Sequence, residues 1–139
     1  MNSFVYDPAK KFLDPEKILF AAGLSKNQTV ADLGSGAGFY SLAAGKLIGD
    51  QGTVYAVDIL EPVLEHLSSE ARMRGLKNIK TIRADLEQAE SLAQILTGTV
   101  DLAVLSTILH QIASRENLLS QVYRMLKTGG KVAYCLLQS

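Results

Sequence analysis

The chain has 139 residues, 47% hydrophobic and 20% charged, and its 14 Lys+Arg balance 14 Asp+Glu at zero formal net charge. That length fits one domain with a core of its own, and the apolar content excludes a disordered chain. The charge balance argues against a nucleic-acid footprint, which needs a surplus of basic side chains.

Residues 1–13 read as an N-terminal arm, with disorder expected in the first few, and 14–139 as the core. Asp14–Pro15–Glu16 opens a helix: Asp14 can cap it, Pro15 fits its first position and Glu16 suits the positive end of its dipole. Ile18, Leu19 and Ala22 supply an apolar face, and Gly23 stops it. Thr29–Leu33 reads as the first strand, 34–38 as a glycine-rich turn, and Phe39–Ile48 as a helix. Thr53–Val57, ending at Asp58, is the second strand. Glu61–Pro62 opens a helix that ends near Gly75. Asn78–Ile82 is a third strand with Asp85 just beyond it, and Gln88–Leu96 reads as a shorter helix. Val100–Leu105 is a fourth strand, continuous in Leu102, Ala103, Val104 and Leu105 as a strand covered on both faces should be. Arg115–Leu126 is the last helix, and Gly129–Gly130 turns the chain into a fifth strand, Lys131–Leu137.

Alternation of β-branched runs with helical patterns argues for an α/β fold with a wound parallel sheet. In such sheets ligands bind beyond the carboxyl ends of the strands, where strand order reverses. The informative residues are therefore Gly34–Gly38, Asp58, Asp85 and the stretch Ser106–His110.

Asp32–Leu33–Gly34–Ser35–Gly36–Ala37–Gly38 places glycines at alternate positions between a strand and a helix. Glycine there permits positive φ and close approach of a ligand to the backbone. The nicotinamide fingerprint G-x-G-x-x-G fails, because its third glycine would fall on Phe39. An acid at the end of the strand disfavours a nearby pyrophosphate and suits a ligand carrying an ammonium group.

Val30 to Gly38 resembles the first motif of the class I S-adenosylmethionine-dependent methyltransferases of the small-molecule type. Three further segments match in order: Val54 to Asp58, Arg83–Ala84–Asp85–Leu86, and Val122 to Val132 with its Gly129–Gly130. The resemblance implies a doubly wound Rossmann-like sheet in the order 3-2-1-4-5, with helices on both faces and the family's last two strands absent. It implies S-adenosylmethionine as cofactor. Gly34, Gly36 and Gly38 would cradle its methionine and ribose parts, with Ser35 in the same turn. Asp32 would face the ammonium group, Asp58 the ribose hydroxyls, with Ile59 beside it, and Asp85 the adenine amine. The Leu86 backbone N–H would meet a ring nitrogen, and Ser106 would lie near the methionine moiety.

Each residue also has a plainer use. Asp58 could cap the next helix, although Pro62 puts that helix several residues on. Asp85 could be a turn residue, and Asp32 could accept from N–H groups of the turn. His110 could hold or deprotonate a methyl acceptor or satisfy backbone groups in its loop. Tyr6 is a weaker acceptor-side candidate. His66 reads as solvated and Cys135 as core.

The expected reaction is displacement at a sulfonium methyl by a small-molecule acceptor. The protein's part is alignment and desolvation, and no general base is assigned. Arsenic methylation assisted by thiols is disfavoured because Cys135 is the one cysteine. With two histidines and one cysteine, no metal site is expected. No signal peptide or spanning segment is evident, so a cytoplasmic setting is the default. Strand five would leave an exposed apolar edge. The expectation is therefore a homodimer or strand pairing through 131–137, unless the chain is a fragment or a partner completes the sheet. The rival function is a non-catalytic cofactor-binding or interaction module; a nicotinamide-binding domain is third.

Overall fold

A computed structural model of the chain describes residues 2–6, 14–106 and 112–135. Asp14 accepts from the backbone N–H of Glu16 at 3.0 Å and of Lys17 at 3.4 Å, and Pro15 takes the first turn, so α1 runs Pro15–Ala21. β2 (Thr29–Leu33), α2 (Phe39–Ile48), β3 (Thr53–Asp58), α3 (Glu61–Met73) and β4 (Ile79–Arg83) follow. Then come β5 (Val100–Ser106), α4 (Arg115–Met125) and β6 (Leu126–Cys135), while Asn2–Tyr6 forms β1 ahead of them all.

The six strands lie in the order β1-β6-β5-β2-β3-β4, and every pairing is parallel. The run β4-β3-β2-β5-β6 is the expected 3-2-1-4-5. From β2 the chain winds outward through β3 to β4, then returns to β5 on the other side. Strand order thus reverses between β2 and β5, and their carboxyl ends define the switch point.

Alternation along the strands fills both faces of the sheet. Val30, Leu102 and Val104 pack with Ile18, Leu19, Tyr40 and Ala43 of α1 and α2. Ala31, Leu33, Ala103 and Leu105 pack with Leu118, Val122 and Met125 of α4. Leu42, Ala56, Leu67 and Ala71 join α2, β3 and α3. Among the described residues, no helix is long and apolar enough to cross a membrane.

Three expectations are corrected. Residues 88–96 form successive turns, not a helix. Their amides bond three residues back, as in Ser91 to Gln88 and Ala93 to Glu90, and Glu90 sits at φ +60°, which ends any α ladder. β6 begins at Leu126, opposite Val100, and the next partners are Leu102 and Lys131, so Gly129–Gly130 bulge within the strand. A Cβ on Gly130 would approach the carbonyl of Lys127 at 2.9 Å and that of Val100 at 3.1 Å, which is why glycine stands there. Finally, the start of the N-terminal arm is ordered as β1, which pairs with β6 from Asn2↔Lys131 to Tyr6↔Cys135. The edge expected to be free along 131–135 is therefore covered by the chain itself, so dimerisation is not needed to satisfy it there.

Candidate functional site

β2 brings a buried acid to the switch point. Its alternation turns Asp32 toward α2, where Ser41 donates its hydroxyl to Asp32 Oδ2 at 2.6 Å. Asp32 is 1% exposed, and its Oδ1 is buried with no hydrogen-bond partner. Burial pushes the carboxyl up from 3.8 to about 6; the Ser41 bonds pull it down, and nearby Asp58 adds a further push upward. A buried acceptor left unpaired is costly, so a donor is wanted at Oδ1.

The turn after Leu33 is built on positive φ: +79° at Gly34, +55° at Gly36 and +93° at Gly38. Gly34 and Ser35 both donate their N–H to the Val57 carbonyl at 2.8 Å, so the turn hangs on β3. Gly36 donates its N–H to Asp58 Oδ2 at 2.9 Å. The last two glycines serve different ends. A Cβ at Gly38 would collide with Leu67 Cδ1, whereas one at Gly36 would meet nothing within 4 Å. Gly38 is thus a packing requirement, and Gly36 faces open space. The Ser35 hydroxyl, like Asp32 Oδ1, is buried without a partner.

Asp58 ends β3. Its Oδ1 accepts from the Leu60 N–H at 3.0 Å, so the plainer use, shaping the entry to α3, does occur. It leaves room for more. An ionised carboxylate has about four acceptor positions, and two are taken here. Ile59 and Leu60 form an exposed apolar lip beside it. The Asp58 carbonyl accepts from Ala84 N–H at 3.1 Å, and Arg83 Nε donates to the Ile59 carbonyl at 3.1 Å. These bonds set the Asp85 segment next to Asp58.

Asp85 closes a turn: Oδ1 accepts from the Glu87 N–H at 2.9 Å and Oδ2 from Gln88 Nε2 at 3.5 Å. Leu86 is buried in the core that includes Leu92 and Ile112. Ser106 ends β5 opposite Cys135, which also pairs with Tyr6, so these backbones share the carboxyl end of the sheet. His110 lies outside the described residues. His66 is exposed, as expected.

The structure thus brings Asp32, the glycine turn, Asp58 and the Asp85 segment to one end of the sheet. Sequence reasoning missed Ser41, whose signal is a buried hydroxyl in the first turn of a helix that continues with the apolar run Leu42, Ala43 and Ala44. It also missed Glu87, which carries no local signal because its partners, Ala113 and Ser114, are 26 and 27 residues away. A groove of about 520 Å³ lined by Phe39, Lys46, Arg74 and Leu76 contains none of the expected site residues. Among the described residues, no group of three His, Cys, Asp or Glu could hold a metal ion.

Comparison with known proteins agrees with this fold. A profile of the methyltransferase domain matches residues 24–138. The ubiquinone/menaquinone biosynthesis C-methyltransferase UbiE of Haemophilus ducreyi is 30% identical over 112 residues, which are 80% of this chain and 42% of that protein. The arsenite methyltransferase of Aquipseudomonas alcaligenes is 29% identical over 120 residues, 84% of this chain and 34% of that protein. A solved S-adenosylmethionine-dependent methyltransferase from Aquifex aeolicus superposes with a TM-score of 0.74 at 29% identity, covering 88% of this chain and 68% of that one. The chain spans less than half the length of these two curated relatives.

Proposed function

This chain belongs to the class I S-adenosylmethionine-dependent methyltransferase domain family, and we propose that it binds that cofactor and transfers its methyl group to a small organic acceptor. The observation that carries the reading is the Asp58 carboxylate. It closes the glycine turn through Gly36 and keeps acceptor positions for two neighbouring hydroxyls, as a ribose offers.

The residues present fit the cofactor. Asp32 Oδ1 is a buried acceptor lacking a donor, and an ammonium group, directly or through water, would supply one. Gly34, Gly36 and Gly38 hold the backbone in a cradle, and the space in front of Gly36 is open. α2 begins at Phe39, directly after the turn, so its positive end suits the cofactor's carboxylate. Ser35 would add its unpaired hydroxyl, and Ile59 an apolar surface for the base. Asp85 would accept from the adenine amine, and the Leu86 N–H would donate to the ring. Ser106 would lie near the methionine part, with His110 and Tyr6 on the acceptor side.

When bound, the cofactor supplies a sulfonium methyl group with a good leaving group behind it. The chain then has to orient the donor, exclude water and present the nucleophile in line. With Cys135 as its one cysteine, the chain offers no cluster of thiols for arsenite. Quinols, amines, hydroxyls and carboxylates are the acceptors that suit it. The second reading is cofactor binding without transfer, because Asp32, the glycine turn and Asp58 all serve the cofactor and none of them requires an acceptor.

Methyl-labelled S-adenosylmethionine incubated with a panel of quinols, phenols, amines and carboxylic acids tests the proposal. Label appearing in an acceptor supports transfer. Tight binding of the cofactor with no label in any acceptor would move the account to the second reading.

A further inference from the structure

Glu87 stands two residues beyond Asp85 and joins two parts of the site. Its N–H donates to Asp85 Oδ1 at 2.9 Å, which closes the turn that carries Asp85 and Leu86. Its Oε1 accepts from Ala113 N–H at 2.9 Å and from Ser114 N–H at 3.4 Å. Ser114 precedes α4 yet makes no capping bond with its own side chain. The entry to α4 is therefore satisfied by a carboxylate from the other side of β5, at the end of the helix that favours negative charge.

The rear of the same turn segment is fixed separately. Gln121 of α4 accepts from the Leu92 N–H at 2.9 Å, and Arg124 donates to the Leu92 and Ile95 carbonyls at 2.9 and 2.7 Å. Those bonds attach the segment to the fold without Glu87. At the front, Gln121 Nε2 reaches the Gln88 carbonyl at 3.5 Å, and the Glu87 side chain adds the tie to Ala113 and Ser114, while its backbone N–H holds Asp85.

We propose that Glu87 is a positioning residue: it sets Asp85 and Leu86 against the entry to α4, so that selection of the adenine base depends on a side chain that does not touch it. This rests on the cofactor reading above. Both contacts use one oxygen, so an amide can replace the carboxylate, whereas a side chain one methylene shorter falls short.

The test measures calorimetric affinities for S-adenosylhomocysteine and for its inosine analogue, in which a carbonyl replaces the adenine amine. In the wild-type chain the adenine compound should bind more tightly. Glu87→Ala and Glu87→Asp should shrink that preference about five-fold or more, and Glu87→Gln should restore most of it. Urea midpoints confirm that each variant is folded. An unchanged preference in Glu87→Ala and Glu87→Asp, even with both ligands weakened, would overturn the proposal while leaving the cofactor reading standing. A wild-type chain that binds neither compound would overturn both.

Discussion

The side chain of Asp58 holds the backbone of Gly36: Oδ2 accepts the Gly36 N–H at 2.9 Å across 22 residues of chain. The candidate ribose acceptor and the candidate cradle are thus one unit. The same carboxylate reaches forward through Oδ1 to Leu60 at 3.0 Å, so it also sets the path into α3. Binding and folding are linked at this side chain.

Asp58→Ala should therefore lower stability as well as abolish binding. It strands the N–H groups of Gly36 and Leu60, both partly open to water, for an expected loss of about 1–2 kcal/mol. Urea denaturation of the ligand-free chain measures this. An unchanged midpoint would show that the turn is held by its bonds to Val57 alone.

Substituting the two glycines should separate ligand from fold. Gly36→Ala meets open space, so its cost is the strain of φ +55°, about 1–2 kcal/mol. Its methyl group projects where the ligand would lie, and binding should be lost. Gly38→Ala adds a collision with Leu67 to a φ of +93°. Overpacking typically costs about 1–3 kcal/mol more, so this variant should be the less stable of the two. Equal midpoints would contradict the division of labour.

Asp32 should give stability a distinctive pH dependence. Its folded value of about 6 lies above the ordinary 3.8. Between those values the folded chain keeps a proton that the unfolded chain has released, so stability falls as pH rises. The contribution is complete below about pH 4 and is lost through about pH 6, a change on the order of 3 kcal/mol. Asp32→Asn should remove this slope, as seen by comparing its urea midpoints with wild type from pH 4 to 8. A cationic ligand group at Oδ1 favours the ionised acid, so cofactor affinity should rise with pH over the same window. Parallel profiles for wild type and variant would sink this account of Asp32.

β1 covers β6, and its removal should be felt as association. A chain starting at residue 7 would bare the backbone of Lys131–Cys135, and exposed strand edges pair with other chains. Light scattering should show self-association rising with concentration for the shortened chain and not for the full one. Identical behaviour would mean that β1 does not protect that edge.

Much of this was legible in the sequence because the signals are local. Asp14–Pro15 fixes the start of α1, and Gly34 to Gly38 can only be a tight turn between a strand and a helix. The order of β4, β3, β2, β5 and β6 is what the resemblance to the family implied; alternation by itself argued for a wound parallel sheet without its order. What escaped depends on partners distant in sequence. Residues 88–96 have helical spacing, but Arg124 and Gln121 take up their backbone groups and hold them as turns. β1 holds only Phe4–Val5–Tyr6 as strand-prone residues, too short a run to be read alone, and it becomes a strand because the β6 edge is there to receive it. Ser41 and Glu87 matter only through Asp32 and α4, which spacing does not reveal.

The most direct test of the central claim is thermal unfolding of the wild-type chain and Gly36→Ala with S-adenosylmethionine, S-adenosylhomocysteine or NAD. A ligand at about 100 times its dissociation constant stabilises by roughly 2.7 kcal/mol, a clear rise in midpoint. The account predicts that rise with the first two ligands in the wild type, and none in Gly36→Ala or with NAD. No shift with either S-adenosyl compound, or an equal shift in Gly36→Ala, would contradict it.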